Sequence, residues 1–337
     1  CTMAAGVVWF GDSGRKPVNF KSRKVAIVGA GAVGSGFAFA LAQSGIAEEI
    51  VLVDANTDLA KGQALDLAHG APFYRTVSIY ADTAPQAYRN AAIVVITAGK
   101  AQAGPSQSRL ELMQINAKIV TSIATDIQMV NPEAIVLVAT NPVDIVTHVA
   151  RLRTQWPRGR ILGSGTVLDS ARFRWLLAEH CGVSPQNVHA SILGEHGDSE
   201  LAAWSLVHIG GLPMDHYCSV CRKCDFIHRR PQILEQVRRS AYHIIGYKGS
   251  TSFGVAMAMV QIVRAILRNE RRVLTVSAPL AGEYGLNDVT LGIPCVVGAN
   301  GIEEVIEAQL TPEENQELAQ SAQVLKDSLA LLETSPA

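Results

Sequence analysis

Over residues 24–163, short apolar runs rich in β-branched side chains alternate with longer stretches of helical periodicity. The runs are KVAIV (24–28), EIVLV (49–53), TVSIY (76–80), AIVVIT (92–97), AIVLVA (134–139) and RILG (160–163). Continuous apolar runs suit strands buried on both faces, so six of them separated by helices predict βαβ crossovers and a doubly wound parallel sheet. Val33, Phe37 and Leu41 recur every four residues until Gly45 punctuates the first helix. A second periodic stretch, 109–129, stops before Asn131-Pro132.

After Gly163 the texture changes. The pattern predicts a helix near 165–180, strands near 187–193 and 203–209, long helical stretches over 226–268, and strands near 272–277 and 289–297. Thr311-Pro312-Glu313-Glu314 is a capping box with proline at the first helical position, opening a terminal helix to about 333. The organisation expected is an extension over 1–21, a parallel-sheet domain over 22–163 and an α+β domain over 164–337. The apolar patch at 4–10 has no basic segment before it and no small-residue cleavage site after it, so the extension is not expected to be a signal peptide.

Charge narrows the function classes. Lys and Arg number 29 against 30 Asp and Glu, for a net charge of −1, so no overall field draws nucleic acid. Hydrophobic residues make up 48% of the 337, yet no apolar run approaches the roughly 18 residues that span a bilayer. Six cysteines, at 1, 181, 218, 221, 224 and 295, are too few to staple a chain of this length, which favours a reducing, cytoplasmic compartment.

Gly29-Ala30-Gly31-Ala32-Val33-Gly34 follows the first strand and opens the first helix. In that context Gly29 makes a tight turn, Gly31 lets backbone approach a pyrophosphate, Gly34 permits close helix–strand packing, and the helix N-terminus offers its positive end. The second strand ends in Asp54, 20 residues on, where a carboxylate suits ribose hydroxyls and repels a 2′-phosphate; NAD is favoured over NADP. The alternative is a glycine-rich turn beside a solvated acid. Gly194-Glu195-His196-Gly197-Asp198 holds a histidine on a tight turn at a strand end, a plausible general acid/base. Asp169 and Arg172, three apart on a predicted helix, share a face, as site residues or as a simple salt bridge, whereas Arg174 lies about 200° round from Arg172.

Taken in order, these motifs resemble the lactate/malate dehydrogenase superfamily in its bacterial L-lactate dehydrogenase form. The resemblance runs from about Lys24 to Leu332 and is carried by G-A-G-A-V-G at 29–34, V-L-V-D ending at Asp54, I-T-A-G at 96–99, S-R-L at 108–110 and N-P-V-D at 141–144. It continues through G-S-G-T-V-L-D-S-A-R-F-R at 163–174, G-E-H-G-D-S at 194–199, K-G-S-T at 248–251 and E-Y-G-L-N-D-V at 283–289. It implies an α/β fold, a Rossmann sheet followed by an α+β catalytic domain, and interconversion of pyruvate and lactate with NAD by a homotetramer.

The resemblance also implies roles. His196 matches the proton donor/acceptor, Asp169 the carboxylate that orients it, Arg172 the clamp on the substrate carboxylate, and Arg109 the loop arginine that polarises the carbonyl. Asn141 and Thr251 match substrate-pocket positions; Gly29, Gly31, Val33, Gly34, Asp54, Gly99, Ser122, Thr140 and Asn141 match cofactor contacts. Gln102 stands where a malate enzyme carries arginine, and a neutral side chain suits the methyl end of pyruvate. The stretch 99–109 is one residue longer than the family's usual spacing, with P-S-Q-S-R at 105–109. Arg174 and His189 match an effector site for fructose 1,6-bisphosphate. The rival readings are a malate or other 2-hydroxyacid dehydrogenase and a non-catalytic NAD-binding protein. Cys218, Cys221 and Cys224 form C-x2-C-x2-C between His216 and His228, a spacing open to zinc or an iron–sulfur cluster. The family has no obligatory metal, and the expectation is a reduced surface segment without one.

Overall fold

The apolar runs of the first half become β1 (Lys24–Val28), β2 (Glu49–Val53), β3 (Ser78–Ala81), β4 (Ile93–Ile96), β5 (Ile135–Val138) and β6 (Ile161–Gly163). The computed structural model describes residues 22–100, 109–221 and 226–334. The six strands lie in the order β3-β2-β1-β4-β5-β6, every neighbouring pair parallel. All residues of β1, β4 and β5 are buried. The expected run 76–80 pairs only from Ser78, because its partner strand begins at Glu49.

Helices cover both faces: α1 (Ala32–Ser44), α2 (Thr57–His69), α3 (Arg109–Val130) and α4 (Val143–Thr154). Val25 and Ile27 of β1 pack in one core with Phe37 and Leu41 of α1, while Ala26 and Val28 join Val120 and Ile127 of α3 and Val146 of α4 in the other. This is the two-residue strand period meeting the helical period on opposite faces.

The second half contributes α5 (Val167–Cys181), the short strands β7 (Val188–His189), β8 (Ile192–Leu193), β9 (Leu201–Ala202), β10 (His208–Ile209) and β11 (Leu212–Pro213), then α6 (Met214–Cys221), α7 (Phe226–Lys248) and α8 (Phe253–Leu267). The helical stretch read over 226–268 is thus two helices, parted at 249–252, where Gly249 takes φ +83°. The strand expected over 203–209 pairs only at His208–Ile209, since Trp204–Leu206 turn as a 3-10 helix.

The chain then runs through β12 (Arg272–Ala281), β13 (Asn287–Gly298), the unexpected β14 (Gly301–Val305) and α9 (Pro312–Thr334). The capping box is real: the Glu314 N–H donates to Thr311 Oγ1 (3.2 Å) and the Thr311 N–H to Glu314 Oε2 (3.0 Å). β12 docks antiparallel on β6 through Ser277 and Gly163, extending the sheet to nine strands, β14-β13-β12-β6-β5-β4-β1-β2-β3. Only glycine fits at that seam, because a Cβ on Gly163 would stand 2.6 Å from Ser277 Oγ. Among the described residues, no helix is long and apolar enough to cross a membrane.

Candidate active site

The carboxyl ends of β1, β2 and β4 meet at the glycine turn. Gly29, at φ +106°, donates its N–H to the Val53 carbonyl (2.7 Å), and a Cβ on Gly34 would stand 1.8 Å from the Gly29 oxygen. A Cβ on Gly31 would meet nothing within 4 Å. The N-terminus of α1 behind it has no side-chain cap and no acid in its first turn. Open space before the uncapped, positive end of a helix suits a pyrophosphate.

Asp54 has a second task beside the one expected of it. Its Oδ2 accepts the Ala30 N–H (2.7 Å) and its Oδ1 the Asn56 N–H (2.8 Å), so it ties the glycine turn to the end of β2. Thr97, whose hydroxyl donates to the Gly29 carbonyl (2.9 Å), holds the turn from β4. The Thr140 hydroxyl is committed to the Ala98 carbonyl (2.7 Å), and a Cβ on Gly99 would press on Thr140 Cγ2 at 2.4 Å, so these two positions pack against each other. Val33 is half-buried in the first turn of α1, and Ser122 is exposed on α3.

The histidine turn is anchored from three helices. Glu195 donates its N–H to Ser321 Oγ of α9 (2.8 Å), and His196 donates its N–H to Asp144 Oδ2 of α4 (2.7 Å). The His196 ring meets α5, with Nδ1 2.5 Å from Asp169 Oδ2. Asp169 Oδ1 in turn accepts from Arg172 Nη1 (2.6 Å), the pairing that their spacing allowed. Burial alone would raise the Asp169 pKa, but His196 and Arg172 outweigh it and hold it below the usual carboxylate value. The Asp169 charge pushes His196 up to about 9 against the opposing effect of burial. Neutral solution therefore finds a protonated imidazole, oriented through Nδ1, with Nε2 the ring atom left for proton exchange.

Asp144 and Asn116 were assigned no role from the sequence. Asp144 accepts Ser277 Oγ (2.5 Å) as well as the His196 N–H; burial pushes its pKa up to about 6, with those two bonds opposing. Asn116, buried in α3, accepts the Lys100 N–H (2.8 Å) and donates to the carbonyls of Lys100 (3.1 Å) and Asn141 (2.8 Å). It ties Lys100 to Asn141, which precedes a cis peptide to Pro142. In sequence Asp144 shows only as the last letter of N-P-V-D at 141–144, and Asn116 only as one polar residue among several in α3.

Thr251 is half-buried in the break between α7 and α8, beside Ser252, which faces Gly36 of α1. Arg109 opens α3. Gln102 and Cys224 lie outside the described residues, while Cys218 and Cys221 sit one turn apart on α6. Arg174 turns away from the site as expected: its guanidinium donates to the carbonyls of Val188 (2.7 Å) and Pro185 (3.2 Å), next to exposed His189.

Residues 23–163 match the NAD binding domain of lactate/malate dehydrogenase, and residues 166–334 match the alpha/beta C-terminal domain of the same family. The chain is 51% identical over 311 residues to an L-lactate dehydrogenase of Treponema denticola, covering 91% of this chain and 98% of the relative. It is 46% identical over 314 residues to L-lactate dehydrogenase 1 of Clostridium acetobutylicum, covering 92% and 98% respectively. Among solved structures, the ligand-bound minor L-lactate dehydrogenase of Enterococcus mundtii superposes with a TM-score of 0.88 at 41% identity, over 94% of this chain and 99% of the other.

Because Asp54 both holds the Ala30 N–H and repels a 2′-phosphate, Asp54→Ser is expected to act on two affinities. NADH binding, read by quenching of protein fluorescence, should weaken about tenfold, and the preference for NADH over NADPH should narrow by a comparable factor. An unchanged preference would remove Asp54 from cofactor selection.

Proposed function

The chain belongs to the lactate/malate dehydrogenase family, and on that premise we propose that His196, charged through its pairing with Asp169, exchanges the proton with the substrate oxygen. The reaction is the NAD-dependent interconversion of pyruvate and L-lactate. NAD, which the 29–34 turn, the α1 N-terminus and Asp54 would hold, supplies or accepts the hydride at the substrate carbon.

The observation that carries this reading is the chain His196–Asp169–Arg172, centred on the buried Asp169 carboxylate. In the direction of reduction, imidazolium gives its proton to the carbonyl oxygen, and Asp169 keeps the ring in orientation while its charge falls to zero. Arg172 spends Nη1 on Asp169, and the remaining N–H donors of its planar fork are those that would grip the substrate carboxylate. Arg109 polarises the carbonyl from the start of α3, Asn141 and Thr251 line the pocket, and neutral Gln102 meets the methyl end of pyruvate. A catalytically silent NAD-binding protein would have no use for a histidine charged and anchored in this way.

We extend the proposal to assembly and regulation. The protein acts in the cytoplasm as a homotetramer, in keeping with free thiols at Cys221 and Cys295. Arg174, braced on the segment that leads into His189, faces its counterpart across a symmetry axis, and fructose 1,6-bisphosphate neutralises the cations that meet there.

Three outcomes follow from these assignments. His196→Ala should lower kcat for pyruvate by about 10²–10⁴-fold and leave NADH binding nearly intact; retention of a tenth of the activity would contradict the role. In the native enzyme, pyruvate reduction requires charged His196 and should fall as pH rises through about 9, while lactate oxidation should climb over the same range.

Native enzyme should favour pyruvate over oxaloacetate in kcat/KM, and Gln102→Arg should move the preference toward oxaloacetate by at least about tenfold, since a second carboxylate without a cation is costly to bury. A native preference for oxaloacetate would place a different residue at the selecting position.

Fructose 1,6-bisphosphate should lower the apparent KM for pyruvate in native enzyme and lose that effect in Arg174→Gln. A flat response in the native enzyme, or an intact one in the variant, removes the effector site.

A further inference from the structure

Glu200 closes the histidine turn, and its carboxyl is buried, with 2% of the residue exposed. Among the described residues, Oε1 finds no hydrogen-bond partner. One Glu200 oxygen, one Asp169 oxygen and a ring nitrogen of His196 all lie within 4.8 Å of one another. A buried carboxyl oxygen without a donor is a costly way to fill space, where a methylene chain of the same length would pack without penalty. Its position beside the imidazole gives it a task.

The groups that act on this cluster come from every element around it. Asp169 and Arg172 approach from α5, Asp144 from α4 and Glu195 from the turn itself; Arg238 of α7 donates to the Glu200 carbonyl oxygen (2.5 Å). Burial, then the nearby Asp169 charge, pushes the Glu200 carboxyl up to about 8, with His196, Arg238 and Arg172 opposing. A carboxyl so placed resists ionisation until the solution is alkaline. The anion formed there stabilises the imidazolium beside it.

Resting on the reading of His196 as proton donor, we propose that Glu200 is a positioning residue that keeps the proton on His196 in alkaline solution by ionising beside it. It acts through the imidazole.

The test is the NMR titration of the His196 ring, identified by its loss in His196→Asn, together with the pH profile of pyruvate reduction. In Glu200→Gln the ring midpoint should fall by about one pH unit, and the alkaline limb of kcat/KM should follow it. At pH 9 that shift amounts to about a fivefold loss relative to native enzyme, each normalised to its own rate at pH 7. Glu200→Met, apolar and of similar length, should behave alike and serves if the amide variant does not fold. Glu200→Asp retains an anion and should leave the midpoint near native. A ring midpoint unmoved in Glu200→Gln or Glu200→Met, or lowered as far in Glu200→Asp, overturns the proposal. A ring that shifts while the kinetic limb stays in place supports Glu200's hold on the imidazole and overturns instead the assignment of His196 as donor.

Discussion

A carboxylate taken out of water must be met by positive charge, and Asp169, with 2% of its surface exposed, is met twice. His196 binds one oxygen and Arg172 the other. Much of the site follows from this arrangement. The buried anion makes the imidazole a cation at neutral pH, fixes which ring nitrogen faces the chemistry, and sets Arg172 beside it at a defined distance. The same pairing that looks like an ordinary i, i+3 salt bridge on a helix becomes, once buried, the element that gives the site its charge.

His196 hangs between the two halves of the chain. Its ring is held by α5 of the second half and its backbone N–H by Asp144 of the first. Asp144 is itself bound by Ser277, the residue of β12 that docks on Gly163 of β6. The seam where the antiparallel strands join the parallel sheet is thus linked through Asp144 to the His196 turn. Gly163 and Gly165, the latter at φ +53°, leave no room for a side chain against β12, so the seam closes to backbone distance. A histidine positioned through two halves is only as well placed as that seam is tight.

The cofactor side obeys a similar rule with weaker forces. β1 lies between β2 and β4, the point in a doubly wound sheet where successive connections leave in opposite directions and a crevice opens at the strand ends. Polar side chains line that crevice as staples before they serve any ligand: Asp54 and Thr97 hold the glycine turn, Thr140 holds Ala98, and Asn116 joins Lys100 to Asn141. Each satisfies backbone groups at the end of a strand, where the sheet ladder stops and buried N–H and C=O groups would otherwise lack partners.

Local pattern determined a good deal by itself. The parallel strands, the first helix with its glycine turn and the capped terminal helix follow from periodicity and punctuation, because burial on a strand or helix repeats over a few residues and leaves that repeat in the sequence. Motif order carried the likeness to the dehydrogenase family, and with it His196, Asp169 and Arg172. Tertiary structure alone decided the rest: the break of one helical stretch at 249–252, the docking of β12 on β6, the roles of Asp144 and Asn116, and the burial of the Glu200 carboxyl beside His196. Asp144 meets His196 across 52 residues and Ser277 across 133. No repeat along the chain encodes such pairings, since which donor reaches a buried oxygen depends on how distant segments pack, and packing is a property of the folded whole.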